Sequence, residues 1–243
     1  MNNNYRIYHG DGLSLLAKGV LTTACIFADP PDNIGLNYNG FSDRVDKSRY
    51  DGFLQYLLRL CLDSSPTTWI SYNPKWTFNI GWIVSEMKLH RAFDARSLVQ
   101  TFTFGQYNDS DFATNHRPLL RIRWPGIETN TDEIRVPSWR QLNGDKRAAQ
   151  RERVPGDNFD FPRVTGNSKQ RRKWCPTQLH EGLVERCILS STKRGDCVFD
   201  PFAGTGTTLR VCKKHGRRCI TADVDRESCE RIAEEHGLKV EEA

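Results

Sequence analysis

The stretch Asp200-Pro-Phe-Ala-Gly-Thr-Gly-Thr-Thr208 constrains this chain more than any other. It follows the apolar run Asp196-Cys-Val-Phe199, which reads as a buried strand. It leads into Leu209-Arg-Val-Cys-Lys-Lys-His215, which reads as a helix stopped by Gly216. Two glycines with one residue between them, set in a strand-to-helix turn, let the backbone come close to a ligand. The next strand, Cys219-Ile-Thr-Ala222, ends at Asp223. An acidic residue there, roughly 20 residues beyond the glycines, is where a Rossmann-like half grips a nucleoside ribose. No lysine follows the glycines and position 209 is Leu, so the loop is neither a Walker A nor a full G-x-G-x-x-G.

A chain of 243 residues has room for one α/β domain with a sizeable insertion. Apolar and aromatic residues make up 37% and 10% of it, enough for a packed core. No apolar run approaches the ~20 residues of a membrane span, and Met1-Asn-Asn-Asn-Tyr-Arg6 lacks a signal-peptide core. No membrane partner and a cytoplasmic location are therefore expected. The eight cysteines form no C-x-x-C pair, so they read as reduced core thiols, and no metal site is expected.

Charge is unevenly placed. Between Arg117 and Lys173, 14 Lys/Arg stand against 7 Asp/Glu, a surplus of +7 in a chain whose net charge is +5. One segment thus carries the whole positive excess, which points to a face for a polyanion. Within it, 125–172 shows no periodicity, and its one helical hint is Asp145 to Arg151. Outside it, strands are expected at Tyr5–Tyr8, Ala24–Ala28, Thr67–Tyr72, Ser97–Phe104 and Pro118–Trp124. Helices are expected at Leu13–Ala17, Tyr50–Leu62, Trp76–Met87, Leu179–Ser190 and Asp225–Glu235.

The apolar run Ala24–Ala28 delivers Asp29-Pro-Pro-Asp32 to the carboxyl end of the sheet, where open α/β folds bind ligands. Two prolines end the pairing and stiffen the chain, so a carboxylate and a proline carbonyl are held in place. Such a pair suits an exocyclic amino group, whose two protons need two acceptors.

D-P-F-A-G-T-G-T-T with D-V-D one strand later, D-P-P-D followed by Asn33-Ile-Gly35, and Trp174-Cys-Pro-Thr-Gln178 together resemble a known family. They are similar to the motifs of the DNA amino-methyltransferases that use S-adenosylmethionine. The order, catalytic tetrapeptide then recognition insert then cofactor loop, resembles the beta class. The resemblance implies a Rossmann-like, mostly parallel seven-stranded α/β sheet with helices on both faces. Residues 1–124 would form the catalytic half, 125–173 a basic target-recognition insert and 174–243 the cofactor half of the same sheet. The implied partner is double-stranded DNA with a flipped target base, N6 of adenine being preferred to N4 of cytosine. A homodimer and a restriction–modification setting are further implications.

Residue by residue, the resemblance makes Asp29, Pro30, Pro31 and Asp32 the catalytic turn. Asp11, Thr177, Gln178, Asp200 and Phe202 become cofactor contacts, as do Gly204, Gly206, Thr207 and Asp223. Tyr38, Phe41 and His116, the last in an Asn115-His-Arg-Pro118 turn, are base-pocket candidates. Arg140, Arg147, Arg163, Arg171, Arg172 and Lys173 are candidate nucleic-acid contacts. Asp32 departs from the family, which places there an aromatic that stacks on the base, a contact of roughly 1–3 kcal/mol. Either another aromatic takes over, Tyr38 and Phe41 being the nearest, or the base is held differently, and Asp32→Tyr is expected to keep activity. A methyltransferase acting on RNA or single-stranded DNA, and a silent DNA-binding relative, remain open alternatives.

Overall fold

The computed structural model describes residues 4–19, 21–38, 41–103, 107–148 and 150–243, with the Phe41 side chain outside the described set. The chain begins with strand β1 (Tyr5–His9), helix α1 (Gly12–Ala17) and strand β2 (Cys25–Ala28). A two-stranded hairpin, β3 (Asn37–Tyr38) with β4 (Phe41–Ser42), precedes α2 (Lys47–Ser64), β5 (Thr67–Ser71) and α3 (Thr77–His90). Strands β6 (Asp94–Thr101) and β7 (His116–Arg123) pair antiparallel. The segment that follows holds α4 (Trp139–Leu142) and β8 (Asn158–Asp160). The last part alternates α5 (Glu181–Leu189), β9 (Cys197–Asp200), α6 (Thr207–His215), β10 (Arg218–Asp223), α7 (Arg226–His236) and β11 (Val240–Glu242).

The main sheet has the order β11-β1-β10-β9-β2-β5-β7-β6-β8 and is mostly parallel, with β7 antiparallel to both its neighbours. Its centre is β9 beside β2, two four-residue strands in which every residue is buried. Successive strand residues face opposite sides. Accordingly Ile26, Ala28 and Phe199 join the core under α1, α2 and α3, while Cys25, Phe27 and Val198 join the core under α5, α6 and α7. From β2 the chain proceeds to β5 on one side, and from β9 to β10 on the other. The strand order reverses between them, and a crevice opens beyond the carboxyl ends of two strands roughly 5 Å apart.

The sheet has nine strands rather than the seven expected. The additions are β11, after the last helix, and β8, from the insert read as aperiodic. β8 pairs with β6 and carries Phe159, 4% exposed, onto Trp69. Among the described residues of the helical hint at Asp145–Arg151, none is in a helix. Helix α4 lies earlier, where Ser138 and Gln141 make a reciprocal capping box. All eight cysteines are buried and unpaired. Among the described residues no helix is long and apolar enough to cross a membrane.

Candidate active site

A cleft of about 670 Å³ lies over the carboxyl ends of β2, β9 and β10. Asp11, Phe202, Gly204 and Asp223 line one end, and Asp29, Asp32, Tyr38 and Arg117 the other.

At the first end the backbone turns sharply at Gly204 and Gly206, both left-handed at φ 51° and 72°. A Cβ on Gly206 would meet Ile232 at 3.0 Å, so a side chain there strains the turn twice over. A Cβ on Gly12 would sit 2.5 Å from the Pro201 carbonyl oxygen, and this close approach sets the start of α1 against the loop. Asp223 Oδ2 accepts from Gly204 N–H at 2.7 Å, and Oδ1 from Asp225 N–H at 2.9 Å. The Val224 N–H bonds the same carboxylate, so three backbone groups fix it in place while it keeps acceptor capacity for a ribose hydroxyl. Burial pushes the Asp223 carboxyl above its ordinary range.

Other expected cofactor residues act as supports. Asp200, 4% exposed, accepts from Phe202 N–H at 2.9 Å; burial pushes its pKa up to about 7. Asp11 caps α1, accepting from Leu13 N–H and Ser14 N–H. The Thr207 hydroxyl is engaged by Arg210 and Thr205. Gln178 spends its amide on Arg172 N–H and the Gln170 carbonyl, so it fastens the preceding turn instead of offering a free group. Phe202 presents its ring edge-on to Phe53, with centroids 6.2 Å apart.

At the second end, Asp29 leaves β2 with its side chain 23% exposed. Arg117, near the start of β7, reaches it across β5. Its Nη2 donates to Asp29 Oδ1 at 2.7 Å and to Asp32 Oδ1 at 3.0 Å, and its Nη1 to Asp32 Oδ2 at 2.9 Å. Its Nε donates to Ser71 Oγ at 2.6 Å, and the Ser71 hydroxyl bonds Asp29 in turn. Burial and the nearby Asp32 raise the pKa of Asp29, while Arg117 opposes them. Tyr50 Oη donates to the Pro31 carbonyl at 2.5 Å, and Trp76 Nε1 to the Asp32 carbonyl at 2.8 Å. Asp43 accepts from the N–H groups of Ile34, Gly35 and Leu36, which locks the chain beyond the turn. Among the described residues no hydrogen-bond donor engages the Pro30 carbonyl.

Two expectations are corrected here. Asp32 is 7% exposed and turned onto Arg117, a specific place that a tyrosine would not fill; it is not a mere gap where an aromatic was lost. His116 does not line the cleft. Strand alternation gives that position to its neighbour Arg117. Tyr38 does line the cleft, half-buried, with its hydroxyl bonded to Thr177. Phe41 has its side chain outside the described residues. In the insert, Arg140 and Arg147 are exposed around Asp145, Arg163 is exposed over the Phe102 ring, and Lys173 is exposed. Arg172 instead pairs with Glu235 on α7 at 2.7 Å, and Arg171 donates to the Pro176 carbonyl at 3.4 Å. Those two fasten the insert to the core.

Arg117, Ser71, Tyr50 and Trp76 were not anticipated. One signal was available: two carboxylates in a four-residue turn after a buried strand require a cation nearby. The sequence does not say which arginine supplies it.

The fold and cleft define a nucleoside-cofactor enzyme with a carboxylate turn facing the cofactor loop. The comparisons name the class. The DNA methylase family model of N6- and N4-methyltransferases matches residues 23–235, so the chain belongs to that family of S-adenosylmethionine-dependent DNA methyltransferases. The chain is 32% identical over 216 residues to the type II methyltransferase M.HpaI of Haemophilus parainfluenzae, covering 86% of this chain and 66% of that one. It is 29% identical to the DNA adenine methyltransferase YhdJ of Escherichia coli, covering 93% and 80%. Among solved structures, the M1.HpyAVI–SAM complex aligns at TM-score 0.65 and 17% identity, covering 96% of this chain and 100% of that chain. The cytosine-N4-specific PvuII methyltransferase aligns at 0.70 and 14%, covering 95% and 87%. At those identities the structural likeness concerns the fold.

Proposed function

We propose that this methyltransferase acts site-specifically on double-stranded DNA, on N6 of an adenine turned out of the helix. The observation that carries the reading is the single cleft joining Asp223 and the glycine loop to Asp29 and Pro30. Asp223, the turn at Gly204 and Gly206, and Phe202 would hold S-adenosylmethionine, a ribose hydroxyl of which suits the remaining acceptor capacity of Asp223. When bound, that cofactor supplies an electrophilic methyl group on a positively charged sulfur.

The chain's own work is at the other end. An amino group conjugated to a base ring is a poor nucleophile, because its lone pair is delocalised into the ring. Asp29 Oδ2 and the Pro30 carbonyl accept its two hydrogens, which turns the nitrogen toward a tetrahedral shape and frees the lone pair. Such prepositioned acceptors act where charge develops, and rotating a base out of the duplex costs a few kcal/mol. Tyr38 supplies an aromatic wall in place of the ring missing at position 32. Adenine is favoured because the relative YhdJ is named an adenine methyltransferase, and because Asp opens the turn. Nucleoside mass spectrometry of DNA from cells expressing the chain is expected to show N6-methyladenine. N4-methylcytosine alone would reverse the base assignment, and a methylated base only in RNA would reject DNA as the substrate.

A further inference from the structure

Arg117 has no assigned task in the chemistry above, yet it makes three hydrogen bonds to the Asp29–Asp32 turn and a fourth to Ser71 on β5. The sheet order places β5 between β2 and β7, so the ends of β2 and β7 lie roughly 10 Å apart. Arginine is long enough to cross that gap, and Ser71 on β5 takes its Nε–H on the way. The guanidinium then divides its hydrogens unequally. Asp32 receives two, one from each terminal nitrogen, in the bidentate fork that a carboxylate matches best. Asp29 receives one, at Oδ1, and Oδ2 receives none of them.

This division has a consequence for position 32. Two carboxylates close together raise each other's pKa, and a shared arginine lowers both. An arginine facing Asp29 alone would turn its fork there and cover both oxygens, leaving no acceptor for an amine. With Asp32 taking the fork, the guanidinium meets Asp29 through Oδ1 alone and leaves Oδ2 to face the cleft.

We propose that Arg117 and Asp32 form a matched pair of positioning residues that sets the orientation and the charge of Asp29. Asp32 is there to draw the arginine fork away from Asp29, and the base is held without it. The inference rests on the reading of Asp29 as the amine acceptor. Other groups facing Asp29 are Tyr38 from β3, Tyr50 from α2, Cys175 from the segment before α5, and Asp200 at the end of β9. All four are unchanged in the variants below.

The test is single-turnover methyl transfer by the full chain across ~pH 5 to 9, with S-adenosylmethionine and plasmid DNA from a methylation-deficient host. Removing a positive charge beside Asp29 raises its pKa, so Arg117→Gln should move the acid limb of the rate to higher pH by about one unit. Removing the negative charge of Asp32 lowers it, so Asp32→Asn should move the limb to lower pH while reducing the plateau rate. Arg117→Lys keeps the charge without the fork. Its limb should stay near that of the wild type while its rate falls about tenfold, and this variant also serves if the glutamine change prevents folding. Asp32→Tyr should lose activity about as Asp32→Asn does. Limbs that stay put in both charge-removing variants, or that move the same way, overturn the pair. A limb displaced as far in Arg117→Lys as in Arg117→Gln also overturns it. Undiminished turnover in Asp29→Ala would instead reject the underlying role of Asp29, so the two failures are distinguishable.

Discussion

The two ends of the cleft satisfy their buried carboxylates in opposite ways. At the Asp223 end the partners are close in sequence: the Phe202 N–H and the Thr208 hydroxyl for Asp200, and backbone N–H groups one, two and 19 residues away for Asp223. At the other end Asp29 and Asp32 share the Arg117 side chain, 88 and 85 residues away, and Asp29 also meets the Ser71 hydroxyl from β5. The first arrangement is fixed by a short motif and its turn geometry. The second exists only once β2, β5 and β7 are laid side by side. A local device fixes geometry, whereas a long-range ion pair also ties the chemistry to assembly of the sheet.

The sharpest way to break this contrast is at Asp29. If it acts on the amine alone, Asp29→Ala should lower the single-turnover rate by at least about 10³, on the order of 4 kcal/mol. S-adenosylmethionine affinity by calorimetry should stay within about twofold of wild type. A matching loss of affinity would mean that the two ends are one coupled unit. The complementary change is Asp223→Ala. It should weaken S-adenosylmethionine binding at least about tenfold, or ~1.4 kcal/mol, and leave the rate at saturating cofactor near that of the wild type. Unchanged affinity in a folded variant removes Asp223 from the cofactor site.

The same contrast explains what could be read from the chain beforehand. The glycine loop, its flanking strand and helix, and Asp223 lie within the 27 residues from Cys197 to Asp223 and were assigned from spacing alone. Strands β2 and β9 were found because each carries a short apolar run, Cys25–Ala28 and Cys197–Phe199. The partner of Asp32 was not found, because strand alternation decides whether His116 or Arg117 enters the cleft, and a turn motif does not set that phase. β8 was missed for a related reason. Three residues with one buried aromatic carry no periodicity, and the strand is defined by β6 beside it. The capping box at Ser138 and Gln141 is a local signal, a serine and a glutamine three residues apart, and it starts α4.

The basic insert sharpens the comparison further, because it mixes both kinds of contact. Arg172 is consumed by Glu235 on α7, whereas Arg147, Arg163 and Lys173 are exposed. Neutralising those three together should flatten the slope of log K against log salt by roughly 0.9 per lost duplex phosphate contact. Arg172→Gln should leave the slope alone and lower the melting temperature. The reverse outcome would make Arg172 the contact to DNA and the exposed arginines only solvated surface.

The smallest effect tests whether the cofactor loop stands on a neutral acid. The Asp200 carboxyl is pushed up to about 7 by burial in the folded chain, against about 3.9 when unfolded. The folded state therefore holds a proton that the unfolded state has released. The stability this contributes is full below about pH 4 and is lost progressively as pH rises toward 7. An asparagine is neutral throughout, and its Oδ1 still accepts from Phe202 N–H. Asp200→Asn should thus gain on the wild type from about pH 4 to 7, then hold a constant margin of at least about 1 kcal/mol above that. Calorimetric melts of the cofactor-free chain at several pH values would show it. A margin that is flat with pH would mean that Asp200 is ionised in the folded protein, and both ends of the cleft would then hold buried charge.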